Sequence, residues 1–166
     1  MVRITEQYRQ LMFAVRKIHP DWGWSGAKGA PMVSRFGTKD VLDYGGGMGL
    51  LGKTLGFPIQ EYDPGKPGKD IEPVPAEVVY CGDVMEHVEE ESVQDVLAHI
   101  KSLVKPGGRA IFVISTRLAG KILPDGRNAH VTIKSGTEWQ ALLAWHFDKV
   151  EPSSSPAPDD VAFVCQ

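Results

Sequence analysis

The sequence predicts an α/β fold, a mostly parallel sheet with flanking helices that ends in a C-terminal antiparallel hairpin. Three observations carry this. Short apolar runs alternate with segments of helical period, and a strand–helix–strand crossover joins parallel strands. The run Glu77–Cys81, EVVYC, is continuously apolar after its first residue, as a strand buried on both faces is. The last two strand-like runs are joined only by a loop that contains PSSSPAP, which holds no crossover helix and favours antiparallel pairing.

Taken in order, Tyr8, Leu11, Met12, Val15 and Ile18 fall three and four apart and mark a helix within Ile4–Ile18 that Pro20 stops. The following HPDWGWSGAKGAPMV reads as a loop, with Trp22 and Trp24 either packed on the core or part of a lid. Lys39–Tyr44 is a strand that runs into GGGMG, and Leu50, Leu51 and Leu55 open a helix behind it. Phe57–Tyr62 is a second strand closed by Asp-Pro-Gly. The stretch DPGKPGKDIEPVPAE has no helical period, so the next crossover helix is shortened or absent and the third-strand region abbreviated. Ser92–Val104 is a helix with a capping-box-like Ser92/Asp95 start, ended by Pro106, Gly107 and Gly108. Arg109–Ser115 is a strand, followed by a long loop through Arg127, a helix around Thr137–Trp145, and strands near Phe147–Val150 and Val161–Cys165. The whole reads as a single domain, 1–166, with an N-terminal helix and lid-like loop (1–38) and a core (39–166).

Composition narrows the function classes. A net charge of −3 leaves no basic surplus to neutralise a run of phosphates, which weighs against nonspecific nucleic-acid binding. No apolar stretch approaches a membrane span, and the start lacks a signal-peptide pattern, so the expected compartment is cytoplasmic. Two cysteines, Cys81 and Cys165, are too few for a disulfide framework and lack metal-knuckle spacing.

Ligands of a parallel α/β sheet bind beyond the C-terminal strand ends, first at the turn after the first strand. Gly45, Gly46, Gly47 and Gly49 occupy that turn and let a ligand approach the backbone. Asp43 precedes the glycines and would repel a pyrophosphate but suit a cationic group. Asp63, at the end of the second strand, is placed to accept hydrogen bonds from ribose hydroxyls. A nucleoside carrying an ammonium group fits this pair better than NAD does.

VLDYGGGMG, EYDPG, VVYCGDVMEHV and LVKPGGRAIFVIS together resemble the class I methyltransferases that use S-adenosylmethionine, over about residues 39 to 150. The resemblance implies a Rossmann-like core in which Asp43, Gly45, Gly47 and Gly49 surround the methionine part of the cofactor, Asp63 holds the ribose and Asp83 lies beside the cofactor. The abbreviated region departs from the family pattern where adenine contacts are expected.

For the methyl acceptor, His87 and His130 are the candidate general bases, because both sit on loops that return to the same rim. Asp83, Glu86 and His87 are spaced DxxEH. With His130 they form an oxygen- and nitrogen-rich set suited to a divalent cation. This resembles the ExxEH metal sites of the methyltransferases acting on small-RNA 3′ ends and on ubiquinone-precursor catechols, with Asp in place of the first Glu. Arg127 and Asn128, in LPDGRNAH, and Trp22 and Trp24 are the expected walls of the acceptor site. The chain contains no Pro-Pro pair of the kind that grips a flipped base, and no substrate domain of an NAD oxidoreductase. The expected acceptor is small and polar or sugar-like, methylated on O or N. A noncatalytic S-adenosylmethionine-binding partner in a complex is the first alternative, and a nucleic-acid methyltransferase the second.

Overall fold

The computed structural model describes residues 4–19 and 26–166. Its centre is one six-stranded sheet formed by β1 (Val41–Tyr44), β2 (Gln60–Tyr62), β3 (Ala76–Gly82), β4 (Val104–Ser115), β5 (Val150–Ser153) and β6 (Asp160–Cys165), in the order β2-β1-β3-β4-β6-β5. The first four are parallel; β6 runs antiparallel to β4, and β5 closes the sheet as a hairpin with β6. This is the Rossmann-like sheet with a C-terminal antiparallel hairpin that the sequence predicts.

Alternation along the strands divides the core. Leu42, Val79, Cys81, Phe112 and Phe163 face one side, against α4 (Val93–Ser102) and Trp139 and Leu143 of α5 (Gly136–Ala144). Val41, Val78, Tyr80, Ile111 and Val113 face the other, against α2 (Gly26–Ser34) and Leu51 of α3 (Leu50–Leu55). The remaining helix, α1 (Glu6–Ile18), belongs to neither layer. Its buried Tyr8, Met12 and Val15 pack with Leu123 and Ala129 of the loop after β4, in a separate small core.

Several expectations shift. The segment read as a loop after Pro20 contains α2, despite Pro31 inside it, because Ala30, Met32 and Val33 bury against the sheet. Gly29 lets this helix approach closely: a Cβ there would lie 2.1 Å from the Tyr80 ring. Residues 105–108, read as the end of a helix, extend β4, with a register shift between Ala76 and Val78 absorbing them. Ser92 makes no side-chain cap to α4; the capping box is at α5, where the Ser135 hydroxyl accepts from Glu138 N and the Glu138 carboxylate accepts from Ser135 N. β5 begins at Val150, where the expected strand ended. Ile18 is exposed rather than part of the helix stripe. No helix lies between β2 and β3 among the described residues, as the missing helical period predicts.

Candidate active site

A cavity of about 490 Å³ opens at the C-terminal ends of β1 to β4. Its first end is the turn after β1. Gly45, Gly47 and Gly49 all have positive φ, and a Cβ on Gly45 would meet the Val84 side chain at 2.2 Å, so the sequence needs glycine here to close the turn. Asp63 is buried and holds the turn from below. Its Oδ2 accepts from Gly47 N (3.1 Å) and from Arg16 Nη2 (2.8 Å), and its Oδ1 from Gly65 N (2.9 Å). The Gly47 carbonyl accepts from Lys66 Nζ (2.6 Å) and Lys69 Nζ (3.0 Å), which fixes the turn from its other side. Burial and the neighbouring Lys69 and Arg16 charges lower the Lys66 pKa.

Asp43, at the end of β1, is buried with its Oδ2 lacking a hydrogen-bond partner among the described residues. Burial, then repulsion from Glu61, pushes its carboxyl up to about 7. An unpaired buried acid at a ligand cavity is costly alone and is stabilised by a cationic or donor group brought by a ligand.

The second end is built by the 3-10 turn Met85–His87 and the loop after β4. Asp83 enters it in the left-handed conformation, φ 52°, which a short polar side chain tolerates. Glu86 is fully buried. Its Oε1 accepts from Ser115 N at 3.3 Å while Oε2 has no partner among the described residues, and burial, then Asp83, pushes the carboxyl up to about 8. His87 Nδ1 lies 2.7 Å from the Ala129 carbonyl and His130 Nδ1 lies 2.6 Å from the Arg117 carbonyl. A carbonyl only accepts, so in both rings Nδ1 carries the hydrogen and, in the neutral form, Nε2 carries the lone pair. The rings meet edge to face with centroids 4.8 Å apart. Burial, then His130, lowers the His87 pKa to about 4, which keeps that ring neutral near pH 7.

Of the four expected metal ligands the structure brings three together: ligand atoms of Glu86, His87 and His130 lie within 4.8 Å of one another. Asp83 is not part of that group; its carboxylate faces Lys28 Nζ at 3.6 Å. Two expected wall residues are placed differently. Arg127 does not line the cavity. Its Nε donates to Asp125 (2.7 Å), its Nη1 to Glu89 (3.0 Å), and its guanidinium lies over the Tyr8 ring, so it ties the loop to α1. Thr5 Oγ1 donates to the other oxygen of Glu89 at 2.7 Å and completes that tie. Asn128 braces its own loop: its Oδ1 accepts from Ala119 N and His130 N, and its Nδ2 donates to the Ala119 carbonyl. Trp22 and Trp24 lie outside the described residues.

The cavity also takes residues that no sequence motif announced: Tyr8 and Arg16 from α1, Lys28 from α2, Arg117 and Lys121 from the loop, and Asp160 from β6. Arg117 and Lys121 stand in a loop without any pattern that marks them. Arg16 and Lys28 reach the site only through tertiary packing.

A mostly parallel sheet whose first turn is glycine-built, with one buried acid near the end of the first strand and another just after the second, has the form of a nucleoside-binding α/β enzyme. A family model described as a methyltransferase domain matches residues 26–151, and the chain belongs to that family; it is a methyltransferase. No curated protein matches it in sequence. Among solved structures, a DhpI–SAM–HEP complex is 19% identical with a TM-score of 0.69, each chain covered over 96%. The 1,6-didemethyltoxoflavin-N1-methyltransferase of Burkholderia thailandensis, with bound 1,6-didemethyltoxoflavin and S-adenosylhomocysteine, is 18% identical (TM-score 0.67; 96% of this chain, 87% of that one). An O-methyltransferase family protein from Burkholderia thailandensis is 16% identical (TM-score 0.59); the match covers 96% of this chain but 58% of that one. No helix among the described residues is long and apolar enough to cross a membrane.

Proposed function

We propose that the protein transfers a methyl group from S-adenosylmethionine to O or N of a small polar acceptor. The observation that carries this is the continuous cavity that runs from the glycine turn and its two acids to the paired histidines. The residues fit the cofactor: Asp43 Oδ2 is an orphaned acceptor suited to its ammonium, Asp63 to its ribose hydroxyls, and the side-chain-free turn to close backbone approach. When bound, the sulfonium supplies an electrophilic methyl group whose leaving group becomes neutral. Calorimetry tests the reading: Asp43→Ala and Asp63→Ala, each folded, lose affinity for S-adenosylmethionine, and undiminished affinity in both refutes it.

His87 and His130 present Nε2 as the proton acceptor, so either can take the acceptor's proton. A second reading rests on the close approach of Glu86, His87 and His130, which together can hold a divalent cation that orients an acceptor oxygen. Elemental analysis and assays after exhaustive chelation separate the two: full activity without metal returns the histidines to acid–base work. The Burkholderia N1-methyltransferase is described with bound 1,6-didemethyltoxoflavin, a small molecule, which supports a small acceptor here.

A further inference from the structure

Around Ser115 the cavity wall collects three carboxylates from three elements. Asp83 follows β3, Glu86 lies in the 3-10 turn, and Asp160 starts β6, where it pairs in register with Ser115 at the end of β4. Two of them are stabilised only in part. Glu86 has one oxygen on Ser115 N and the other buried with no partner among the described residues. Asp160 Oδ2 is likewise buried without a hydrogen-bond partner among them, and its carboxyl is pushed up by burial and by Asp83, offset only in part by Lys28, Ser115 and Arg117. The cations that line the same cavity are shared or placed elsewhere: Lys28 stands 3.6 Å from Asp83 and also acts on Asp160, Arg117 acts on Asp160 but is paired with Asp159 at 3.3 Å, Arg16 is committed to Asp63, and Lys121 exerts its charge on His87. Lys28 and the shared Arg117 are too little to balance three acids, and like charges so gathered disfavour each other's ionised form.

We propose that this wall, Asp83, Glu86 and Asp160 around Ser115, is the subsite for a positively charged, N–H-donating group of the acceptor, an amine in its ammonium form. An ammonium supplies three donors and a full positive charge, which answers both the unmet oxygen of Glu86 and the mutual repulsion of the acids. A carboxylate or phosphate placed there would meet acids on three sides. Arg127, the sequence's candidate clamp for an anion, is spent on Glu89 and Asp125 and offers no counterweight. The proposal rests on the methyltransferase reading above and names the acceptor class for it.

The test uses chelated protein saturated with S-adenosylhomocysteine, titrated calorimetrically with matched probes: benzylamine, benzyl alcohol and benzoate, then ethanolamine, ethylene glycol and glycolate. The amines are expected to bind at least about tenfold more tightly than their carboxylate counterparts, as a charge-assisted hydrogen bond does over a repelled one. Glu86→Gln, which keeps an oxygen for Ser115 N, and Asp160→Asn are each expected to reduce that preference several-fold while S-adenosylhomocysteine affinity stays put. Equal or tighter carboxylate binding, no amine binding, an amine preference that appears only with an added divalent ion, or variants with an intact preference overturn the proposal. Failure to bind S-adenosylhomocysteine at the outset refutes the methyltransferase reading instead. Asp160→Asn keeps the experiment decisive if Glu86→Gln does not fold.

Discussion

The two ends of the cavity are built on opposite plans. At the glycine turn the backbone is set by glycines and most polar groups are answered from within, Asp63 taking three hydrogen bonds and the Gly47 carbonyl two, while Asp43 keeps one oxygen without a partner among the described residues. At the histidine end the loop backbone is braced but carboxyl groups are left short of partners, and the roof is a helix that packs on a loop rather than on the sheet. On the function proposed above, the first end is a preformed cradle for one invariant ligand. The second leaves its polar groups for whatever the acceptor brings, so specificity would reside there.

The largest effect expected is on turnover at the histidine end. On the acid–base role proposed above, and with an acceptor in hand, His87→Ala or His130→Ala lowers methyl transfer by about 10²- to 10⁴-fold. Affinity for S-adenosylmethionine changes little, as calorimetry on the same samples will show. Loss of cofactor affinity in step with turnover would erase the division between the two ends.

Next is the cradle. Asp63→Ala removes the acceptor for Gly47, Gly65 and Arg16 and, on the function proposed above, the one offered to the ribose; losing that charge-assisted hydrogen bond to the ligand is worth about 1.5 to 3 kcal/mol, so cofactor affinity falls roughly 10- to 150-fold. Denaturant melts of the same variant check that the turn still folds.

A third test concerns pH. Asp43 has a folded-state pKa near 7, above its ordinary value of 3.8. Below that ordinary value both states bind the proton and the group contributes nothing. As pH rises toward 7 the unfolded state gives up its proton first, so the folded state is progressively disfavoured, and the effect levels off above 7. Ligand-free wild type therefore loses stability relative to Asp43→Asn between about pH 4 and 7. A difference that stays flat across this range refutes the burial of an unpaired acid. A cationic ligand group at Asp43 favours its ionised form, so cofactor binding near pH 6 releases protons, measurable by calorimetry in buffers of different ionisation enthalpy.

The smallest effect is at Arg127. Its side chain is 42% exposed, and half-exposed ion pairs contribute about 0 to 1 kcal/mol. Arg127→Ala lowers the melting temperature slightly and leaves cofactor affinity unchanged. A large loss of turnover with any acceptor would show that the tie between loop and α1 matters to the reaction.

The same division explains what was legible in the sequence. Local features sufficed for the cradle, since a glycine turn between a strand and a helix, followed by an acid after the next strand, is contiguous in the chain. The helix α2 was not legible, because GAKGAPMVS has poor helix propensity and is held by packing on Tyr80 and its neighbours. Arg16 and Lys28 were missed for a related reason: they reach the cavity from helices ahead of the core, and only tertiary packing brings them there. Arg127 misled because a polar loop residue looks the same in sequence whether it faces a ligand or fastens a helix. His87 and His130 were found from chain position alone, but the carbonyl partners that set their tautomers lie 42 and 13 residues away.

The abbreviated stretch between β2 and β3 also has a consequence for the sheet's margins. It leaves β2, three residues long, at one border, while the other border is the four-residue β5, which carries Pro152. A border strand this short offers few unpaired backbone groups, and a proline has no N–H to give. Neither margin can template the backbone of a second molecule over any length, so the sheet resists edge-to-edge aggregation through the shortness of its border strands.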